Sequence, residues 1–299
     1  MILATIMAFL APASYAASTI TDSHLSNKVF HLPSTLVFYG AWANLIMLPI
    51  LFLFGTPEIP PLGVVPLLAC VALIETAYLI PYMMSLKKLD TSIVNALFSL
   101  GRITAPLFAF LIVDEKLSLI QYVGFLMIIS ASIFLSLSEK KKGGFKINSA
   151  FWLMFSVAII LSLSVTLEKS SLDSISWISL VFWQSMLSFV LIMGFMLHKK
   201  TRKDAIFSFG RFKKNFHWFF ATDAFNMIGL MCSRFALAVL PVTASSAIAS
   251  IQPFYCLLFG VMLVILFKRK HTESVKRGAI IKKSIGLAVT CTGIFLTLF

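Results

Sequence analysis

Residues 108–135 read FAFLIVDEKLSLIQYVGFLMIISASIFL, in which a short polar turn separates two apolar runs. The first run extends back to residue 91, and the second continues to residue 138. Each matches the roughly 20 apolar residues that an α-helix needs to cross a bilayer. The stretch therefore predicts two transmembrane helices joined by a tight turn.

The remainder of the chain repeats this pattern of apolar runs and short polar connections. No connection is long enough to hold an extramembrane domain. Backbone groups find no water in the hydrocarbon, so each run is predicted to be a helix, whereas a β-barrel would show alternating polarity. The sequence predicts an all-α membrane protein with ten transmembrane helices, at 2–20, 34–54, 62–86, 91–113, 118–138, 149–167, 175–197, 215–238, 242–267 and 280–298.

The composition agrees with this class. Hydrophobic residues make up 59% of the 299 positions, 12% are charged, and the mean hydropathy is +0.94. A soluble domain is about half apolar and a quarter charged. The net charge of +13 does not indicate nucleic acid, because the basic residues lie between apolar runs. The four cysteines and five histidines show no ligand spacing, so neither a metal nor a cofactor is expected.

The first segment has an alternative interpretation. The stretch MILATIMAFLAPASYAAS has an apolar core followed by small residues that resemble a signal-peptidase site. It lacks the basic region that normally precedes such a core. We therefore interpret it as the first span, which also preserves the repeat described next.

The two halves of the chain resemble each other. A shift of 151 residues aligns the third and fourth segments with the eighth and ninth; Leu86, Ala96 and Ser99 then meet Leu237, Ala247 and Ser250. Five helices is an odd number, so two copies in one chain insert in opposite directions. The sequence predicts an inverted repeat of two five-helix halves, with residues 1–147 as one domain and 148–299 as the other.

The basic residues are distributed unevenly among the loops. The loops that follow odd-numbered segments hold 21 of the 25 Lys and Arg residues, and the other loops hold only Lys116 and Lys169. The positive-inside rule places the basic loops in the cytoplasm and both termini outside. The basic stretches 199–214 and 268–283 are predicted to be loops on this side.

With ten predicted helices in two halves, the chain resembles the EamA-type carriers of the drug/metabolite transporter superfamily. The 108–135 stretch is similar to that family's apolar helix, Gly-Glu-Arg-Leu-Ser turn and Gly-containing helix. Glu115, Leu117, Ser118 and Gly124 fit the pattern, whereas Asp114 replaces the family's glycine. SIQPFYCLLFGVMLVILF, residues 250–267, resembles the family's Pro-containing helix.

The resemblance implies a carrier of small metabolites with a cavity between the halves, in the cytoplasmic (inner) membrane. It also implies that both termini lie in the cytoplasm, opposite to the charge distribution. Pro253 in the second half fits the family pattern. The equivalent first-half position, after a shift of 151 residues, holds Arg102, which departs from that pattern.

Ionisable side chains within the predicted spans are candidates for function, because burying them in a bilayer costs several kcal/mol. Glu75 and Arg102 fall near the middle of consecutive antiparallel segments, so the sequence predicts that they lie at similar depth. We hypothesise that Arg102 holds Glu75 ionised until a substrate competes for the pairing. Asp223 and Arg234 are assigned structural roles, with Arg234 reaching the membrane surface, and Glu115 is expected to be solvated.

Polar residues flank the hypothetical pair at helical spacing. Glu75, Tyr78 and Tyr82 share one helix face, and Asn95, Ser99 and Arg102 share another. The alternative role for each is an interhelical packing contact. The predicted substrate-binding residues are Glu75, Tyr78, Tyr82, Asn95, Ser99, Arg102, Asn226, Ser246, Ser250 and Gln252.

These features predict a secondary transporter that moves a small polar or amphipathic metabolite, amino-acid-like or related, by alternating access. Its partners are the substrate, the lipid bilayer, and protons or a counter-substrate. Two alternatives remain: a flippase for a lipid-linked intermediate, and a membrane-embedded enzyme, which would need a His–acid cluster that the sequence lacks. The sequence therefore favours a protein that is not an enzyme.

Cysteine labelling tests the orientation. In a variant without the four native cysteines, a cysteine at Lys200 is predicted to resist an impermeant thiol reagent in intact cells and to react after permeabilisation. A cysteine at Lys116, on the opposite side, is the matched control and should react from outside. Rapid labelling at Lys200 from outside would establish the orientation that the family resemblance implies.

Overall fold

A computed structural model describes residues 1–30, 32–87, 91, 94, 95, 98, 104–137, 149–267 and 277–298. All regular secondary structure in these residues is helical, which confirms the all-α prediction. Short 3-10 turns, Leu48–Leu53 and Gly194–Leu197, extend the second and eighth helices. The α-helices are α1 (Ile2–Lys28), α2 (Pro33–Met47), α3 (Val65–Ala77), α4 (Leu79–Leu86), α5 (Ala105–Val113), α6 (Leu119–Leu137), α7 (Ser149–Leu172), α8 (Trp177–Met193), α9 (Lys199–Lys214), α10 (Phe216–Val239), α11 (Val242–Ala249), α12 (Gln252–Phe267) and α13 (Arg277–Leu298).

Several helices have the length and apolarity of membrane spans. Among the described residues, five helical stretches meet both criteria: Ile2–Lys28, Pro33–Leu53, Val65–Leu86, Trp177–Leu197 and Val242–Met262. These five confirm that the chain is a membrane protein with transmembrane helices; the count of ten spans stays a prediction.

On several helices, small and polar residues are buried while some large apolar residues are exposed. On α1, Ser14, Ser18 and Thr19 are buried, whereas Ile6 and Leu10 are 57% and 43% exposed. Small buried residues let neighbouring helices approach closely, and exposed apolar side chains suit contact with lipid. This arrangement is the one expected for a helix that packs against protein on one face and lipid on the other.

Three segments differ from their predicted bounds. α1 and α7 continue to Lys28 and Leu172, beyond the apolar runs that end at 20 and 167, because their last turns carry polar residues that face protein rather than lipid. The predicted basic loop 199–214 is the helix α9. Tyr39 fixes α9 to α2, since its hydroxyl donates to the Ala205 carbonyl and its ring stacks on Phe212 at 4.4 Å.

Prolines explain two breaks in the helices. Pro81 has no N–H to donate to the Ala77 carbonyl, and α3 ends at Ala77 before α4 begins at Leu79. Pro253 likewise cannot bond the Ala249 carbonyl, and α11 ends there before α12 begins at Gln252. Both spans therefore consist of two helical pieces with a turn between them.

The turn that follows α5 contains Asp114 where the family pattern has glycine, and the backbone conformation at this position explains the substitution. Asp114, which ends α5, adopts a left-handed conformation with φ 51° and ψ 31°. Glycine adopts this region most easily, and aspartate is one of the few other residues that tolerate it. The next residue, Glu115, donates its N–H to the Ala109 carbonyl at 3.1 Å, which closes the end of the helix.

Two charged residues stabilise the break between α10 and α11. Lys169 Nζ donates to the carbonyls of Leu237 and Leu240 at 2.8 and 3.2 Å, at the carboxyl end of α10. Glu115 accepts from the N–H groups of Val242 and Thr243 at 2.9 and 3.1 Å, at the amino end of α11. Each charge has the sign that its helix end favours. The expectation that Glu115 is solvated is therefore wrong, because its carboxylate caps a helix.

Helices from one half of the chain pack mainly against helices from the other. α1 lies along α10 and α12, while α7 lies along α3 and α5. α2 contacts α10, and α8 contacts α3. α6 and α13 pack against each other. The interior is therefore built from contacts between the first and second halves.

The backbones of α6 and α13 approach each other closely at two glycines. A Cβ atom added to Gly124 would lie 2.6 Å from the Gly293 carbonyl oxygen, and one added to Gly293 would lie 2.7 Å from that of Gly124. Ordinary Cβ contacts are longer than 3 Å. The absence of a side chain is therefore a packing requirement at both positions.

Gly124→Ala is predicted to destabilise the folded protein by about 1–3 kcal/mol, because the helices must separate to admit the methyl group. Gly210→Ala is the control: a Cβ on this α9 residue meets nothing within 4 Å. That substitution should be neutral or stabilising by about 0.5–1 kcal/mol, as glycine disfavours helix. Detergent-unfolding curves of the purified variants measure both, and equal effects would contradict the packing argument.

Candidate functional site

A cavity of about 330 Å³ lies between helices of the two halves. Small-molecule sites span about 300–1,000 Å³, so the volume suits a small metabolite. Residues of α1 to α4 line it from the first half, and residues of α7, α8, α10 and α11 line it from the second. Its charged and larger polar side chains are Tyr15, Asp22, Asn44, Glu75, Tyr78, Tyr82, Asn95, Gln184, Asp223, Asn226, Arg234 and Gln252.

One end of the cavity contains an arginine flanked by carboxylates from two other helices. Arg234 Nη2 on α10 forms a short ion pair with Glu168 Oε1 on α7 and lies 3.8 Å from Glu75 Oε1 on α3. Gln184 Nε2 on α8 donates to the same Glu168 oxygen at 3.2 Å. These four side chains connect four helices through charge and hydrogen bonding. One arginine faces two carboxylates, so the cluster has an excess of negative charge when both are ionised.

The two carboxylates have different environments. The Glu168 side chain is fully buried, whereas the Glu75 side chain is 21% exposed and lines the cavity. Glu168 also makes the shorter contact with Arg234. We conclude that Glu168 anchors the arginine, while Glu75 is the carboxylate that a molecule in the cavity can reach.

The other end of the cavity is acidic and aromatic. Asp22 Oδ2 on α1 accepts a hydrogen bond from the Tyr82 hydroxyl at 3.1 Å. Tyr82 belongs to a group of three rings with Tyr78 and Phe98, whose centroids are 5.7–6.0 Å apart. Asp223 on α10 also lines this cavity. Asp223 and Arg234 lie three turns apart on α10, about 16 Å along its axis.

Most of the predicted binding residues lie on the cavity wall. Ser99 and Arg102 lie outside the described residues, and Ser250 lies off the wall. The Ser250 hydroxyl donates to the Ser246 carbonyl at 3.0 Å, at the break after α11. Substrate binding by any of them stays a prediction. The predicted residues that line the cavity are Glu75, Tyr78, Tyr82, Asn95, Asn226, Ser246 and Gln252.

Among the described residues, the arginine that pairs with Glu75 is Arg234. The predicted partner, Arg102, lies outside the described residues, so its pairing with Glu75 stays a prediction. The expectation that Arg234 reaches the membrane surface is wrong, because the residue is 6% exposed and its guanidinium is held by Glu168. Apolar residues surround Arg234 in the sequence, so the local pattern did not reveal that Glu168 and Glu75 lie beside it.

Two predicted residues bond to each other across helices. Gln252 Nε2 on α12 donates to Asn95 Oδ1 at 2.7 Å, and Asn95 Nδ2 donates to the Thr91 carbonyl at 3.0 Å. Both side chains are buried. The pair holds α12 against the segment that contains Asn95, in agreement with the packing role considered as the alternative.

Sequence reasoning missed Tyr15, Asp22 and Glu168. Asp22 and Glu168 lie just beyond apolar runs that were taken to end at 20 and 167, so they were treated as loop residues. For Asp22, the sequence does contain a helical pattern of polar residues that points to the cavity. Tyr15, Ser18, Thr19 and Asp22 are spaced i, i+3, i+4 and i+7, which places them on one helix face, and all four line the cavity.

Comparison with known proteins supports the same architecture. Residues 2–137 match the model of the EamA-like transporter family. A solved crystal structure matches with a TM-score of 0.65 and 14% sequence identity, covering 98% of this chain and 95% of that chain. At this identity the match establishes similarity of fold alone. No curated protein matches the sequence.

Arg234→Met is predicted to reduce the free energy of unfolding by about 3–5 kcal/mol, because Glu168 is left as a buried carboxylate whose positive counter-charge has been removed. The double variant Arg234→Met/Glu168→Gln should recover most of that loss, as it removes the stranded charge. Glu75→Gln is the comparison and should cost less, because Glu75 is partly exposed and 3.8 Å from the arginine. If the double variant is no more stable than Arg234→Met, Glu168 does not anchor the arginine.

Proposed function

The first half of this chain, residues 2–137, belongs to the EamA-like transporter family of the drug/metabolite transporter superfamily, and from that premise we propose that the protein is a secondary active carrier. It moves a small polar or amphipathic metabolite across the cytoplasmic membrane by alternating access. The observation that carries this proposal is the cavity between the halves, with a charge cluster in its wall. A carrier needs such a site near the middle of the membrane.

We further propose that the chain is a ten-helix inverted repeat of residues 1–147 and 148–299. The helix contacts support this, because exchanging the halves converts each contact into another that is present. The contacts of α1 with α10 and α12 become those of α7 with α3 and α5, and that of α2 with α10 becomes that of α8 with α3. The α6–α13 contact converts into itself. An inverted repeat can open to either side by rocking around a fixed site.

The broken helices support the position of the site. Tyr78, at the break between α3 and α4, lines the cavity, and so do Ala249 and Gln252, at the break between α11 and α12. Interrupted helices in carriers frequently mark the substrate site, since their exposed backbone groups and hinge can respond to a ligand. Local rearrangement at these breaks provides a route for closing the cavity around substrate.

Glu75 is the residue through which we propose that substrate binding is coupled to energy. The Arg234 guanidinium has a tight partner in Glu168 and a looser one in Glu75. A proton, or a cationic group of the substrate, that neutralises Glu75 removes the excess negative charge of the cluster. A substrate carboxylate that approaches Arg234 displaces Glu75 in the same way. Either event separates α3 from α10, the two helices that carry this looser ion pair.

Transport in proteoliposomes tests the function directly. The purified protein is reconstituted, and uptake and counterflow are measured for a panel of radiolabelled amino acids, nucleosides and amines with and without a proton gradient. Saturable counterflow of any compound would support the carrier. Absence of counterflow for the whole panel, with correctly inserted protein, would argue against it.

Glu75→Gln is predicted to reduce transport at least about ten-fold and to abolish its dependence on a proton gradient, because the amide neither titrates nor forms an ion pair. Loss of one charge-assisted interaction of about 1.5–3 kcal/mol corresponds to a change of this size. Asp173→Asn, at an exposed turn after α7, is the matched control and should transport normally. A folded Glu75→Gln protein with wild-type rate and proton dependence would eliminate Glu75 as the coupling residue.

A further inference from the structure

Two carboxylates in the cavity wall, Asp22 and Asp223, differ from those around Arg234 because no basic side chain among the described residues pairs with them. Asp22 and Asp223 make no ion pair with any Lys, Arg or His in the part of the chain that the structure describes. They come from α1 and α10, which pack along each other, and both line the same cavity. Negative charges that face a low-dielectric cavity are stabilised by a positive charge bound within it.

Asp223 has an unused hydrogen-bonding atom. Its side chain is 93% buried, and Oδ2 accepts no hydrogen bond among the described residues. Buried polar atoms without a partner are rare, because each costs the full free energy of its desolvation. Asp223 also lines the cavity, so a bound molecule can supply the missing donor.

The surrounding side chains suit a cation rather than an anion. Tyr78, Tyr82 and Phe98 form an aromatic wall beside Asp22, and Phe219 lines the same cavity. Aromatic faces attract cations. The nearest guanidinium on α10, that of Arg234, is three turns away and is already held by Glu168.

From these observations we propose that Asp22 and Asp223 form the subsite that binds a protonated primary or secondary amine, so that the substrate is a small organic ammonium ion. The N–H groups of the ammonium donate to Asp223 Oδ2 and to the Asp22 carboxylate, and its apolar part lies against Tyr78, Tyr82 and Phe98. This inference rests on the proposed carrier function and names its substrate class. It excludes fully methylated ammonium ions as good ligands, because they have no N–H to donate.

Ligand binding to the purified full-length protein tests this without requiring transport. The probes share one phenyl ring and differ in the charged group: phenethylamine hydrochloride, N,N,N-trimethylphenethylammonium chloride and sodium 3-phenylpropionate, each at equal ionic strength. We expect phenethylamine to raise the thermal unfolding midpoint in a saturable manner, with apparent affinity at least about ten-fold above that of the other two. Equal stabilisation by all three, or the strongest by the carboxylate, would overturn the proposal.

Conservative variants locate the binding. Asp22→Asn and Asp223→Asn keep the shape of each side chain and should each weaken phenethylamine binding at least about ten-fold. Asp173→Asn, which changes an exposed aspartate, should bind like the wild type. Wild-type affinity in both cavity variants would overturn the subsite even if phenethylamine binds elsewhere.

Counterflow in proteoliposomes separates this inference from the proposed function. If phenethylamine binds through the two aspartates but no amine undergoes counterflow, the subsite stands and the carrier function fails. If neutral or acidic panel members undergo counterflow while phenethylamine does not bind, the carrier function stands and the amine subsite is wrong.

Discussion

The Arg234 guanidinium, buried between carboxylates from two other helices, is the constraint on which the arrangement of the interior depends. An arginine cannot lose its proton, so its charge has to be neutralised where it lies. Glu168 does so at short range and with full burial, which fixes α7 against α10. Lys169, the next residue, bonds the carbonyls at the end of α10 and strengthens the same contact. Glu75 completes the cluster from α3 with a longer contact of 3.8 Å.

The cavity has two ends with different charge balance. At one end the cation of the cluster belongs to the protein; at the other, Asp22 and Asp223 have none among the described residues. In the inverted repeat that we propose, α1 corresponds to α7 and α4 to the last part of α10. Asp22 on α1 bonds Tyr82 on α4, as Glu168 on α7 bonds Arg234 on α10. A tyrosine thus occupies approximately the place of the arginine, and a ligand can provide the charge.

Two interrupted helices border the cavity that contains these charged residues. Pro81 and Pro253 remove one backbone hydrogen bond each, and the breaks that result lie beside the cavity wall. Elsewhere the helices are tightly constrained, as at Gly124 and Gly293, where no side chain fits. The structure therefore combines a closely packed α6–α13 contact with helix breaks beside the cavity.

The sequence by itself determined the class and the helical content, because lipid requires about 20 apolar residues per span and satisfied backbone groups. It also predicted that Glu75, Tyr78, Tyr82 and Asn226 face a cavity, since a polar residue in such a run has to face protein or a cavity, and all four line the one observed. Only the tertiary structure decided the partners. Arg234 meets Glu75 and Glu168 in the described part of the chain, and Asp22 lines the cavity. Hydropathy ends a span where polarity begins, whereas the chain remains helical as long as its polar side chains find partners on other helices.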